Sequence, residues 1–134
     1  MNINYNFKDK KLLERALTHS SKSELNYERL EFLGDSILDF LVGEYFFKNC
    51  RDDEGKLTVL RSHYVSENNL AKLFDKLNLS GEVKLGKSYQ GEISKAIKAD
   101  GIEALIAGIY LDAKGKGIEK AREIIMRYFD LENY

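Results

Sequence analysis

The sequence predicts an all-α protein. The chain contains no proline, and proline is what most often breaks a helix. It has no run of alternating apolar and polar β-branched residues, the mark of a strand. Apolar residues instead recur at helical spacing along nearly its whole length. Taken in order, Leu12, Leu13, Ala16 and Leu17 form a first short helix after Asp9. A long helix covers about 27–49, and "RDDEG" (51–55) reads as a break. Leu57, Leu60, Tyr64 and Val65 begin another helical run, and 67–77 forms the next. Residues 78–92, with glycines at 81, 86 and 91, form the main loop. A strongly apolar helix follows over about 93–112 and breaks at "AKGKG" (113–117). The last helix, 118–129, is amphipathic: Ile118, Ala121, Ile125 and Phe129 cover the core, while Lys114, Lys116 and Lys120 fall on a solvated face.

Length and composition bound the rest. A chain of 134 residues with no repeat, linker or low-complexity tract is expected to form one domain over 1–134. Hydrophobic residues at 43% and charged residues at 32% fit a folded globular domain rather than a disordered one. The net charge of −1 announces no nucleic-acid binder, although local patches matter more than the sum. The single cysteine, Cys50, excludes an intrachain disulfide and suits a reducing compartment; it is expected half-buried near a helix end. "MNINYNFKDKK" has no apolar signal core. The longest apolar stretch, "SILDFLVGEYFF", is interrupted by Asp39 and Glu44 and is too short to span a membrane. The cytoplasm is the expected location.

The informative feature is acidic. Glu28, Glu31 and Asp35 are spaced i, i+3, i+7, which places them within a sector of roughly 60° on the long helix. Leu30, Phe32, Leu33, Ile37, Leu38, Phe40, Leu41 and Val42 fill the rest, and Phe32, Leu38 and Val42 border the acidic stripe. A helix apolar almost all round is expected to be buried, and a buried carboxylate needs a partner. The pattern repeats in "IKADGIEALIAGIYLD" (97–112), where Asp100 and Glu103 share a face among Ile97, Ile102, Leu105, Ile106 and Ile109. If the stripes face one another, four or five carboxylates converge. Arg29 and Lys98 lie off the stripes, which leaves a hard divalent cation as the partner. Mg2+ or Mn2+ suits an all-carboxylate set better than Zn2+, which favours His or Cys. An ordinary solvated acidic face is the alternative reading. An all-carboxylate Mg2+ site in turn suggests phosphodiester chemistry. His19 and His63 have no metal-ligand company and are expected to pack or cap. Gly34, Ala104, Ala107 and Gly108 are small enough to let the two acidic helices approach closely.

At these residues the sequence resembles a known family. "ERLEFLGDS" (28–36) is similar to the signature of the ribonuclease III family of double-stranded-RNA endonucleases. "FKDKKLLERALTHSS" (7–21), "DEGKLTVLRSHYVSENNLA" (53–71) and "KADGIEALIAGIYLD" (98–112) resemble the family's opening helix, middle region and second acidic helix, in the same order. The resemblance implies roles. Glu31, Asp35, Asp100 and Glu103 match the acidic positions that bind catalytic Mg2+, with Asp35 and Glu103 most tied to the chemical step. Glu28 matches a supporting acid, and Glu54 an acid used by the dimer in RNA processing. Phe32 matches the apolar anchor that plugs into the partner of a homodimer. The implied reaction cuts duplex RNA to 5′-phosphate and 3′-hydroxyl ends, with Mn2+ able to replace Mg2+. "KLGKSYQGEISKAIK" (84–98), with Lys84, Lys87, Lys95 and Lys98, is the expected contact to the RNA backbone. Classical members continue into a double-stranded-RNA-binding domain. The 134-residue chain is similar in architecture to the mini-ribonuclease III branch, which lacks that domain and trims ribosomal RNA precursors. Its signature resembles the classical type. Weak affinity for RNA is expected from the nuclease domain alone. A ribosomal RNA precursor or a ribosomal protein is therefore a further expected partner, and a non-catalytic RNA-binding member of the same fold is the rival reading.

Overall fold

Two helices form the centre of the molecule: α2 (Glu28–Asn49) and α5 (Lys95–Asp112). The computed structural model describes residues 2–134. Around the central pair lie α1 (Lys10–Ala16), α3 (Glu54–Tyr64), α4 (Glu67–Lys76) and α6 (Gly117–Tyr128), followed by a short 3-10 turn at Leu131–Asn133. Among the described residues the only β-type pairing is an isolated bridge between Thr18 and Lys84.

Side-chain caps set four of the helix starts. Asp9 accepts the backbone N–H groups of Lys11 and Leu12, Asp53 that of Lys56, Ser66 that of Asn69, and Ser94 that of Ile97. Each such cap is worth about 1 kcal/mol. Caps also account for the two largest departures from the expected boundaries. Asp53 caps α3, so Glu54 and Gly55 belong to that helix rather than to the break. Ser94 caps α5, which leaves Ile93 outside it.

α5 is the buried axis of the core. Ile102, Ala104, Leu105, Ile106, Ala107 and Ile109 are all sealed from solvent, and the helix packs against α1, α2, α4 and α6. At its end stands Asp112, itself buried. Its carboxylate accepts the Tyr5 hydroxyl at 2.7 Å and the Lys8 and Asp9 N–H groups at 2.9 Å each. This carboxylate therefore holds the segment before α1 against the core. A second tie joins α6 to α2, where the Arg122 guanidinium donates to Glu44 at 3.0 Å.

α2 does not follow the sequence reading all the way round. Phe32, Phe40 and Phe47 are 78%, 55% and 76% exposed, so the helix is not wholly buried by its own chain. The three rings fall within about 80° of one another around the helix axis, which makes them an uncovered apolar face. Cys50, at the end of α2, is more enclosed than expected: it is buried, with its thiol donating to Asp52 at 3.2 Å. Ala121, Ile125 and Phe129 are buried and α6 covers the core, as its amphipathic pattern predicts.

Candidate metal centre

Close packing of α2 on α5 builds the site. Gly34 lies directly against the backbone of Glu103, and any Cβ there would overlap the Glu103 carbonyl. This close approach brings the two acidic stripes face to face. Of the small residues expected to allow it, Gly34 does so. Gly108 instead faces the Phe7 ring and Ala16, because it lies on the α1 side of α5.

The stripes meet as the spacing predicts. Glu31, Asp100 and Glu103 each offer an oxygen, and the three oxygens lie within 4.8 Å of one another. Asp35 joins them through a hydrogen bond to Glu103, while Glu31 shares one with Asp100. Two carboxyls can make such a bond only by sharing a proton. Glu103 is buried and Glu31 and Asp100 are half-buried, whereas Asp35 faces solvent. Burial, then the bond to and charge of Asp35, push the Glu103 carboxyl up to about 9. Burial, then the charge of Asp100, push Glu31 up to about 7. Asp100 is raised chiefly by burial, against the opposing bond from Glu31. None of the ion pairs among the described residues involves these four side chains.

The donor set therefore fits a hard divalent cation. It is all oxygen, convergent and short of positive charge, and a bound cation would relieve the repulsion that raises these carboxyls. No histidine or cysteine belongs to the three-oxygen group, which disfavours zinc.

Other candidate residues fall in different places. Glu28 is exposed, but its charge acts on both Glu31 and Asp100. Glu54 is not in the cluster. It lines a separate groove of about 510 Å3 with Asp39, Phe40, Phe47, Leu57 and Arg61. Phe32 lines another, with Arg15, Arg29, Leu33 and Leu111. The four lysines do not form one free patch. Lys84 pairs with Glu14 at 3.1 Å, Lys98 pairs with Asp75 at 2.8 Å, and Lys95 donates to Asn68 at 2.9 Å. Lys87 is exposed with no ion pair among the described residues.

Sequence reasoning missed Tyr27 and Asp112. Tyr27 is buried immediately before α2, and burial followed by the charges of Asp100, Glu31 and Glu28 raises its phenol. Its signal was position: an aromatic one residue before an acidic stripe. Asp112 could have been noticed as the acid that closes an otherwise apolar helix.

A family model described as ribonuclease-III-like matches residues 9–131. Ribonuclease 3 of a Nitratiruptor species is 42% identical over 133 residues, which cover 96% of this chain and 58% of that protein. Ribonuclease 3 of Francisella tularensis subsp. novicida is 45% identical over 129 residues, covering 95% of this chain and 55% of that protein. The chain thus spans a little over half the length of these curated relatives. The nuclease domain of ribonuclease III from Campylobacter jejuni, solved in a study of flexibility in a region involved in dimer formation, superposes with a TM-score of 0.90. It shares 41% identity, over 96% of this chain and 91% of that one. Dicer from Pichia stipitis superposes with a TM-score of 0.74 at 28% identity, over 97% of this chain and 59% of that one. With the family model matching most of its length and the nuclease-domain fold reproduced throughout, the chain belongs to the ribonuclease-III-like family.

Proposed function

We propose that the chain is an Mg2+-dependent endoribonuclease that hydrolyses phosphodiester bonds in double-stranded RNA, leaving 5′-phosphate and 3′-hydroxyl ends. The observation that carries this reading is the convergence of Glu31, Asp100 and Glu103, joined by Asp35, in a wall with no neutralising lysine or arginine. Divalent ions held there would activate water for attack at phosphorus and stabilise the departing 3′ oxygen. The residues' own part is to hold and orient. Glu31, Asp35, Asp100 and Glu103 are the metal ligands, with Asp35 and Glu103 nearest the chemical step. Glu28 adds negative charge beside them, and the apolar packing of α5 fixes the position of Asp100 and Glu103.

A homodimer is part of the reading. Phe32 is the dimer anchor, and the exposed face that also carries Phe40 and Phe47 is the surface a second copy covers. Glu54 lines a groove beside that face, consistent with a role that depends on the dimer. Lys87 is the first candidate for phosphate contact; Lys84 is paired with Glu14, and Lys95 and Lys98 are held by neighbours on α4. Substrates are structured RNAs, ribosomal precursors among them, and the enzyme works in the cytoplasm. No helix among the described residues is long and apolar enough to cross a membrane. A non-catalytic RNA- or ribosome-binding role has less support, since all four acidic positions are retained.

The test is cleavage of an end-labelled RNA duplex with Mg2+, with Mn2+ and with chelator, followed by analysis of the product ends. Metal-dependent cutting to 5′-phosphate products is the expected result. A dimer that binds duplex RNA tightly and never cuts it would move the reading to the non-catalytic alternative.

A further inference from the structure

His19 was expected to pack or cap, yet its ring is held as a directed donor. It stands edge-on between Tyr27 and Tyr89, with ring centroids 5.9 and 5.8 Å away. Its Nδ1 accepts the Ser21 backbone N–H at 3.1 Å and contacts the Ser21 hydroxyl at 2.7 Å. That hydroxyl in turn accepts the Gly86 N–H at 2.9 Å. A ring nitrogen that accepts from a backbone N–H carries no proton, so the neutral imidazole carries its proton on Nε2. Among the described residues Nε2 has no hydrogen-bond partner, and the ring is half-exposed.

The setting gives this donor a direction of use. The Lys84 N–H donates to the Leu17 carbonyl at 2.7 Å, and the His19 N–H to the Lys84 carbonyl at 3.0 Å. Gly86 is pressed against Ser21 so closely that any Cβ would overlap the Ser21 carbonyl. The loop carrying Lys84 and Lys87 and the segment carrying His19 are therefore one docked unit. On the other side, Tyr27 passes from the His19 ring into α2, where its carbonyl accepts the Glu31 N–H at 2.8 Å. His19 is also close enough to Asp100 for the two side chains to interact electrostatically. It thus stands between the acidic cluster and the basic loop.

We propose that His19 is a substrate-contacting residue: its Nε2–H, fixed in that tautomer by Ser21, donates to a nonbridging oxygen of an RNA backbone phosphate lying between the carboxylates and the Lys84–Lys87 loop. This rests on the duplex-RNA reading above. An N–H held in place in this way suits a phosphate oxygen, which is a charged acceptor.

The test compares wild type with His19→Leu, His19→Gln and Ser21→Ala. Cleavage is measured under steady-state conditions, separating KM from kcat. Binding of duplex RNA is measured by fluorescence anisotropy in a Glu103→Gln background with Mg2+ present. His19→Leu should weaken binding and raise KM by about tenfold or more, the loss expected for one hydrogen bond to a charged acceptor. His19→Gln, whose amide N–H reaches the same place, should recover to within about threefold of wild type. Ser21→Ala should fall between the two. Nitrogen-15 spectra of the imidazole should show the proton on Nε2. A neutral phosphate analogue placed singly along one strand should cost wild type affinity at one position, and cost His19→Leu nothing further there. The proposal is overturned if wild type cuts RNA while His19→Leu matches it, if Leu and Gln lose equally with a fall in Tm, or if the proton sits on Nδ1. Wild type that neither cuts nor binds duplex RNA would overturn the duplex-RNA reading and this proposal with it.

Discussion

Glu103→Gln should make the metal-free protein more stable while abolishing its response to divalent ions. Glu103 is a buried carboxyl pushed up to about 9 by burial first and Asp35 second. The sign follows from proton linkage. The folded state holds a proton that the unfolded chain releases above about pH 4.5, so stability falls with rising pH until the folded group also ionises. Each pH unit in that window costs about 1.4 kcal/mol. At pH 7 the penalty is then roughly 3–4 kcal/mol at most, and sharing of protons across the cluster reduces it. Glutamine has nearly the same shape and no charge, so it removes the term. Thermal unfolding at pH 5, 7 and 8.5 is the assay, with and without Mg2+. The variant should gain more over wild type as pH rises, by several degrees in Tm near neutrality. Wild type should gain from Mg2+, and gain more at pH 8.5 than at pH 5, because binding requires the carboxyls to lose protons. The variant should gain little. Equal or lower stability of the variant across the whole pH range would refute the electrostatic argument.

Three further outcomes follow. Phe32→Asp should leave the fold intact and yield a monomer by light scattering, since the ring is 78% exposed in the single chain; a dimer that survives unchanged would exclude Phe32 as its anchor. Gly34→Ala should lose about 1–3 kcal/mol or more in denaturant unfolding and lose Mg2+ affinity, because its Cβ must push α2 away from the Glu103 backbone. Asp112→Asn should cost about 1–3 kcal/mol, as it weakens the carboxylate that holds Tyr5, Lys8 and Asp9. Burial alone would raise the Asp112 carboxyl, but the N–H of Lys8 and the Tyr5 hydroxyl outweigh it and hold it below the ordinary range. Its contribution is therefore complete above about pH 4 and lost as pH falls through its folded value, which makes the variant's deficit shrink in acid.

Much of this was legible in the sequence, for stated reasons. Helical spacing places every helix, and Asp9 marks the first start, but the caps at Asp53 and Ser94 move the starts of α3 and α5 two or three residues from the sequence reading. The two acidic stripes predict their own meeting, because neither tolerates burial without a partner, and Gly34 marks where the backbones touch. What one chain's sequence could not separate was apolar surface covered by itself from apolar surface left open. Leu38 and Phe40 look alike in the pattern, yet Leu38 is sealed against the core and Phe40 is 55% exposed. Contacts between distant residues were equally hidden. The tie from Asp112 to Tyr5 crosses more than a hundred residues, and no local spacing announces it. The partners of the lysines in the basic loop were hidden in the same way: Lys84 pairs with Glu14, and Lys95 and Lys98 are held by Asn68 and Asp75 on α4.

The most direct test of the central claim is to locate a bound ion. Crystals soaked in Mn2+ and measured for its anomalous signal should show a peak at coordination distance from Glu31, Asp100 and Glu103, lost in Glu103→Gln crystals. Mn2+ seen at other surface carboxylates with none between α2 and α5 would contradict the account.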